Sequence, residues 1–224
     1  KKAVAVCCGT GCQAYGATDV AKAFRDELDK QGLADKVEIK ETGCHGFCER
    51  GTLVLMHPEK QLYQRVKPEA VPDIVEKTIK NGEIIEDNLY DNPATGEKHK
   101  TEEEIPFYAN QERLILGNNG QIDPTSISDY ISTGGYEGLT KAFDMGADKV
   151  IEEMKKANLR GRGGGGFPAG RKWETCRNAE AEKRYIICNA DEGDPGAFMD
   201  RSILEGNPHA VIEGMITAAF AIGS

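Results

Sequence analysis

Residues 161–170 read GRGGGGFPAG, six glycines in ten positions. Such a run has no side chains to bury and cannot build a core. It lets a backbone approach something closely and point its N–H groups at it. Pro168 suits the first turn of a following helix that carries Lys172 and Trp173. A helix N-terminus fed by a glycine loop is an anion site, and Arg162 and Lys172 add full positive charge. The ligand this chemistry selects is a phosphate. A flexible linker is the plainer alternative, but linkers mix glycine with serine and lack the Arg, Phe and Pro present here.

Gly161-x-Gly163-x-x-Gly166 on its own is a weak fingerprint, because a dinucleotide fold needs a strand directly before it. The preceding residues 149–159 instead space Val150, Ile151, Met154 and Leu159 as a helix face. A helix-to-helix glycine loop disfavours an ordinary dinucleotide fold. Further on, 185–189 (YIICN) reads as a short buried strand running into ADEGDPGAF. Asn189, Asp191, Glu192 and Asp194 then cluster just past a strand end, where open α/β sheets place ligands.

At the other end, residues 3–6 form an apolar strand ending at Cys7, followed by CCGTGC. A helix is expected from about 17 to 32, with Val20, Ala23, Phe24 and Leu28 on one face. Strands follow at 37–40, 52–56 and 61–66, then a closing helix at 68–80. The order βαβββα predicts a small α/β sandwich. Cys7-x4-Cys12 and Cys44-x3-Cys48 fall in the two glycine-bearing loops at strand ends. Four thiolates converging from two loops suit a [2Fe–2S] cluster or a zinc ion, though zinc sites use tighter Cys-x2-Cys pairs. Gly9, Gly11, Gly43 and Gly46 leave N–H groups free to bond sulfur. Cys8 competes with Cys7 as first ligand. His45 lies between two of the cysteines and reads as a polar loop residue; His57, His99 and His209 stand alone. Cys176 and Cys188 lack cluster spacing and read as buried apolar residues.

The 224 residues carry 37 acidic against 28 basic side chains, a net charge of −9. That balance, with no basic block, disfavours nucleic-acid binding. No run is long enough to span a membrane, and the stretch Lys1–Val6 is too brief for a secretory signal, so a cytoplasmic location is expected. Seven cysteines without an export signal suggest metal or redox chemistry rather than a disulfide frame. Residues 83–109 are polar, carry Pro93, Gly96 and Pro106, and read as an extended linker. The predicted organisation is a domain at 1–82, a linker at 83–109 and a second domain at 110–224.

GRGGGGFPAGRKW followed by CNADEGDPGAFMDR closely resembles the NADH-oxidising flavin subunit of respiratory complex I. It is still more similar to the matching subunit of NAD-linked, often electron-bifurcating, iron hydrogenases. The resemblance runs from about Arg113 to the end. Separately, Cys-x4-Cys with Cys-x3-Cys resembles the thioredoxin-like [2Fe–2S] ferredoxins, whose pattern selects Cys7, Cys12, Cys44 and Cys48 as ligands and leaves Cys8 a bystander. The implied fold is α/β: a thioredoxin-like ferredoxin domain plus the first part of an α/β FMN domain. The resemblance implies that Gly161, Arg162, Gly163 and Gly164 line an FMN and NADH cleft. It further implies that Phe167 stacks on the nucleotide, Lys172 contacts the flavin, and Asn189, Asp191 and Glu192 hold the flavin's polar groups. Asp194 stands where the respiratory subunits carry Glu, at the contact to nicotinamide, and Gly165 where they carry Ala.

The implied chemistry is hydride transfer from NAD(P)H to FMN, then single electrons to iron–sulfur clusters. The implied partners are the other subunits of a redox complex, including a small [2Fe–2S] subunit and a hydrogenase-like catalytic subunit. A formate dehydrogenase, acyl-CoA reductase or quinone-reducing complex are alternative settings. A ferredoxin-like electron-transfer module without flavin, or a zinc-bearing scaffold, are the rival classes. The family continues beyond the point matching AIGS with further nucleotide-binding residues and a [4Fe–4S] motif, so a longer subunit with [4Fe–4S] clusters in its C-terminal part is expected.

Overall fold

Residues Lys2–Cys7 (β1) carry no charge after Lys2 and are buried from Ala3 onward. An uninterrupted apolar run is what a strand covered on both faces requires. In the computed structural model, which describes residues 2–224, β1 is the inner strand of a four-stranded sheet; Lys1, within the predicted 1–82 domain, lies outside the described residues. β1 pairs in parallel with Val37–Thr42 (β2) and antiparallel with Val54–His57 (β3), which in turn pairs antiparallel with Gln61–Tyr63 (β4). The order is β2-β1-β3-β4.

A parallel pair needs a crossover. Thr10–Ala14 (α1) and Ala17–Lys30 (α2) supply it, and α2 buries Ala17, Val20, Ala21, Phe24 and Leu28 at helical spacing. The closing helical run begins with a tight turn at Pro68–Ala70, continues as Val71–Asp73 (α3) and widens into π-type turns over Ile74–Lys80. It packs Val71, Ile74 and Val75 into the same core. The βαβββα expectation and the thioredoxin-like layout agree with this arrangement.

Residues 83–109 are not a free tether. Leu89, Tyr90, Ile105 and Tyr108 belong to the core of the sheet. Tyr90–Asp91 (β5) and Lys98–His99 (β6) form a small hairpin, and Pro106–Ala109 (α4) follows. β4 would otherwise be a bare edge. Leu62 N–H instead donates to Lys100 O at 3.1 Å and Gln64 N–H to Asn88 O at 2.8 Å. The polar composition of this stretch reflects backbone bonding to an edge, with its few apolar residues each filling a separate slot.

The chain divides into two units: residues up to Asp129 together with Arg201–Asn207, and Tyr130–Asp200 together with Pro208–Ser224. The second unit is helical. Ile127–Ser132 (α5) leads into it, followed by Glu137–Met145 (α6), Ala147–Lys156 (α7) and Ala169–Asn178 (α8). Met199–Gly206 (α9) leads out, and Pro208–Ile222 (α10) completes it. Its core is small: Ala142, Val150, Ile151 and Ala221, with Trp173 and Phe220 packed against them. Residues 185–189, predicted to be a buried strand, are irregular, with Tyr185 and Ile187 strongly exposed. A strand needs a ladder partner, and among the described residues the second unit holds no strand for it to join.

Tyr63 ties the 83–109 stretch to the sheet. Its fully buried hydroxyl lies 2.7 Å from Thr78 Oγ1 and accepts from Gln61 Nε2 at 2.6 Å and from Ile85 N–H at 3.0 Å. Tyr63→Phe should therefore lower stability by about 1–3 kcal/mol, the cost of orphaning buried polar groups. Urea unfolding of the two proteins measures it; an unchanged midpoint would mean these bonds do not stabilise the fold.

Candidate functional site

The ladder bonds at the end of β1 bring the two cysteine loops together. Cys7 N–H donates to Leu53 O at 3.0 Å and Cys8 N–H to Thr42 O at 2.9 Å. Cys7 ends β1, Cys12 sits on α1, Cys44 follows β2, and Cys48 opens the tight turn Cys48–Arg50. Cys44 Sγ and Cys48 Sγ are 3.7 Å apart. All four thiols are unbridged.

Three glycines make this approach possible. A Cβ on Gly9 would lie 2.7 Å from Cys44 Cβ, one on Gly11 3.1 Å from Cys48 Sγ, and one on Gly51 3.0 Å from Cys12 Sγ. Gly46 N–H donates to Cys44 Sγ at 3.3 Å. The sulfurs share protons as neighbours do. Hydrogen bonds to Cys12 and Cys44, with burial, push the Cys7 thiol up, while the bond from Cys7 lowers Cys12 and brings Cys44 to about 6. Burial and the nearby Cys44 charge raise Cys48 to about 11. Among the described residues, no three His, Cys, Asp or Glu side chains are arranged around a single metal ion. The donor set is four soft sulfurs from two loops, the chemistry of an iron–sulfur cluster.

Cys8 and His45 are turned to other work. The Cys8 thiol lies 3.7 Å from Glu41 Oε2, and burial with that carboxylate raises it to about 12. His45 is fully buried, its Nε2 2.8 Å from Thr42 Oγ1. Burial lowers it to about 3, so the ring is neutral.

The Cys44–Cys48 loop is braced by groups with no signal in the sequence. Asn119 Nδ2 donates to Cys44 O at 3.2 Å, and Arg113 Nη2 donates to His45 O at 2.9 Å, across 68 positions of chain. Phe47 stacks on Phe107 with ring centres 4.5 Å apart. No periodicity or spacing links such distant residues; only the polar–aromatic run 107–113 beside the predicted linker hints at them.

In the second unit the glycine loop is closed on itself. Gly161 N–H donates to Phe167 O at 2.8 Å and Ala169 N–H to Leu159 O at 2.8 Å. Gly164 and Gly166 take positive φ, where a side chain would be strained. Pro168 is the N-cap of α8, one position before the first turn expected of it. Its carbonyl, not its ring, serves the helix by accepting from Lys172 N–H at 3.2 Å. Gly170 has a separate duty: a Cβ there would lie 2.7 Å from Lys155 N, so it lets α7 and α8 cross closely.

Gly161, Arg162, Gly163 and Gly164 are exposed, and Phe167 is half-exposed with the Arg171 guanidinium 5.7 Å from its ring centre. Lys172 is exposed and lines an apolar groove with Trp173, Cys176, Tyr185 and Met215. Asn189, Asp191 and Asp194 are exposed in the loop that follows. Asn189 Oδ1 accepts from Asp191 N–H at 3.1 Å, and Glu192 Oε1 accepts from Asp200 N–H at 2.7 Å, at the start of α9. Cys188 is exposed and Cys176 half-buried, so neither is the buried apolar residue expected.

Residues 1–79 match the thioredoxin-like [2Fe–2S] ferredoxin family, and residues 154–224 match the Nuo51 FMN-binding domain. Among curated relatives, the chain is 51% identical over 114 residues to NADP-reducing hydrogenase subunit HndC of Solidesulfovibrio fructosivorans, covering 51% of this chain and 23% of that protein. It is 33% identical over 197 residues to the NAD-reducing hydrogenase HoxS subunit alpha of Cupriavidus necator, covering 88% of this chain and 30% of that protein. The chain thus spans about a quarter of the first relative's length, 23%. Among solved structures, it is 32% identical to the thioredoxin-like [2Fe–2S] ferredoxin of Aquifex aeolicus, covering 41% of this chain and 97% of that one at a TM-score of 0.38. The relatives are described as subunits of larger enzymes, and no helix of the described residues is long and apolar enough to cross a membrane.

A methyl group on Gly9 should push the two cysteine loops apart. Gly9→Ala is expected to cut iron and sulfide retained per chain at least severalfold and to cost about 1–3 kcal/mol in strain. Gly165→Ala, with nothing within 4 Å of its added carbon, serves as control and should change neither. Iron and sulfide assays on both proteins decide it, and equal contents would refute the packing argument.

Proposed function

We propose that this chain, which belongs over residues 1–79 to the thioredoxin-like [2Fe–2S] ferredoxins and over 154–224 to the Nuo51 FMN-binding domains, is part of an NAD(P)H:acceptor oxidoreductase subunit. The cofactors of these two domain types are a [2Fe–2S] cluster and FMN. The observation that carries the reading is the pair of cysteine loops held at contact distance by Gly9, Gly11 and Gly51, on the same chain as the glycine loop of an FMN-binding domain.

Cys7, Cys12, Cys44 and Cys48 are the proposed cluster ligands. Supporting this are their mutual hydrogen bonds and the diversion of Cys8 to Glu41. The proposed flavin and nucleotide residues are Gly161, Arg162, Gly163, Gly164, Phe167, Lys172, Asn189, Asp191, Glu192 and Asp194. When bound there, FMN supplies the step from two-electron hydride chemistry to one-electron transfer. The chain's contribution is position and charge. The exposed glycines leave backbone N–H groups open to a phosphate, and Arg162 and Lys172 favour a negatively charged ligand. Phe167 offers a flat, half-exposed face for stacking.

One relative is described as reducing NADP and another NAD, so the nucleotide is written NAD(P)H. The proposed partners are the other subunits of a multi-subunit redox enzyme: a small [2Fe–2S] subunit and a hydrogenase-like catalytic subunit that exchanges electrons with it. The same reading places the chain in the cytoplasm, where unbridged cysteines and NAD(P)H coexist.

The activity is tested on the protein purified with its native partners, as NAD(P)H oxidation with an artificial dye as acceptor. Absence of both flavin and dye reduction would favour a flavin-free electron-transfer module instead. Two substitutions examine the residues. Cys12→Ala should abolish the cluster and Cys8→Ala should retain it, read as iron and sulfide per chain; a normal cluster in Cys12→Ala would sink the ligand assignment. Lys172→Ala should weaken flavin binding about ten- to a hundredfold, as expected for losing a charged hydrogen bond. Unchanged flavin titration would make Lys172 a surface residue only.

A further inference from the structure

We infer that Arg113 is a positioning residue for the Cys44–Cys48 ligand loop and that its guanidinium, balanced by Glu102, sets the electrostatic field at that end of the cluster. The inference rests on the four-cysteine reading above and concerns residues that neither cysteine motif contains.

Arg113 is held by three partners at once. Its Nη2 donates to His45 O at 2.9 Å, its guanidinium lies 4.4 Å from the centre of the Tyr108 ring, and its Nη1 is 3.8 Å from Glu102 Oε1. His45 immediately follows Cys44, so the guanidinium grips the ligand loop by its backbone. Both charged side chains are largely sheltered, each 21% exposed, where water screens charge less than at a surface. Tyr108 packs edge-on against Phe47, itself one residue before Cys48, with ring centres 5.8 Å apart. Arg113 thus touches the loop directly beside Cys44, and through Tyr108 and Phe47 beside Cys48.

The consequence is electrostatic as well as mechanical. Adding one electron to a tetrathiolate iron–sulfur cluster adds one negative charge. A fixed cation close to one ligand favours that reduced form and raises the midpoint potential; the carboxylate beside the cation opposes it. Arginine is suited to the place because a planar fork can stack on Tyr108 and still donate in its own plane, which a lysine ammonium cannot do.

The test is a redox titration of the 224-residue chain, reconstituted with iron and sulfide and followed by electron paramagnetic resonance at pH 8 and low salt. Arg113→Gln should move the midpoint to a more negative value. Arg113→Lys should keep most of the parent potential while altering the cluster's visible circular dichroism, because the charge stays and the stacked fork is lost. Glu102→Gln should move the midpoint the other way. Opposite shifts from the two neutralising substitutions are not produced by loosened packing, and Glu102→Gln keeps the test open if Arg113→Gln fails to fold. Midpoints of Arg113→Gln and Glu102→Gln that match the parent, or that move in the same direction, overturn the inference while leaving an intact cluster and the ligand assignment standing. A parent chain that takes up no iron overturns the ligand assignment and this inference with it.

Discussion

The structure of the first unit depends on how closely two loops can meet. Gly9 lies so near Cys44 that one methyl group would fall 2.7 Å from its Cβ. That contact is possible because β1 is paired on both sides, in parallel with β2 and antiparallel with β3. The parallel pairing makes β1 and β2 end at the same edge, so the loops that follow them, carrying the two cysteine pairs, emerge side by side. Reverse either strand and the loops would leave from opposite edges. The apolar character of residues 3–6, which buries β1, is therefore upstream of the chemistry. A mutation that weakened that pairing would separate the thiols without touching any of them.

The cysteine pattern and the βαβββα order were legible in the sequence because both are local. Spacing within a loop and periodicity within an element survive without knowledge of the fold. The brace on the second loop was not legible. Arg113 reaches His45 O, and Asn119 reaches Cys44 O, only after the intervening chain has folded back, 68 and 75 positions apart in sequence. The packing of residues 83–109 is hard to read from sequence for the same reason. Leu89, Tyr90, Ile105 and Tyr108 follow no period, since each fills a different slot along the covered edge of β4. A polar stretch that serves as an edge cover and a true linker have similar composition. They differ in whether a neighbouring strand offers backbone groups to bond.

In the second unit the glycines carried mixed information. Gly164 and Gly166 adopt positive φ in an exposed loop, in keeping with a backbone shaped for a ligand. Gly170, in the same run, is there for helix packing against Lys155. A sequence run cannot separate these duties, because both need only the absence of a side chain. The expected strand at 185–189 shows the converse error. Tyr, Ile and Ile in succession favour a strand, yet propensity acts only where a partner exists, and these residues are left irregular.

The two halves of the proposed chemistry ask different things of the protein. Four thiolates concentrate negative charge, and every electron added increases it, so the surroundings must supply compensating donors and cations. Gly46 N–H on Cys44 Sγ and Arg113 behind His45 are two such groups, both on the second loop. On the side of the first loop, Arg25 pairs with Glu41 at 2.6 Å, and Glu41 also faces Cys8. Each arginine has a carboxylate partner, Glu41 for Arg25 and Glu102 for Arg113, but only Arg113 also donates to the backbone of a ligand loop, so the two sides of the site are built differently. The asymmetry comes from residues outside the four-cysteine motif, which is why the motif alone identifies a cluster but says little about its potential.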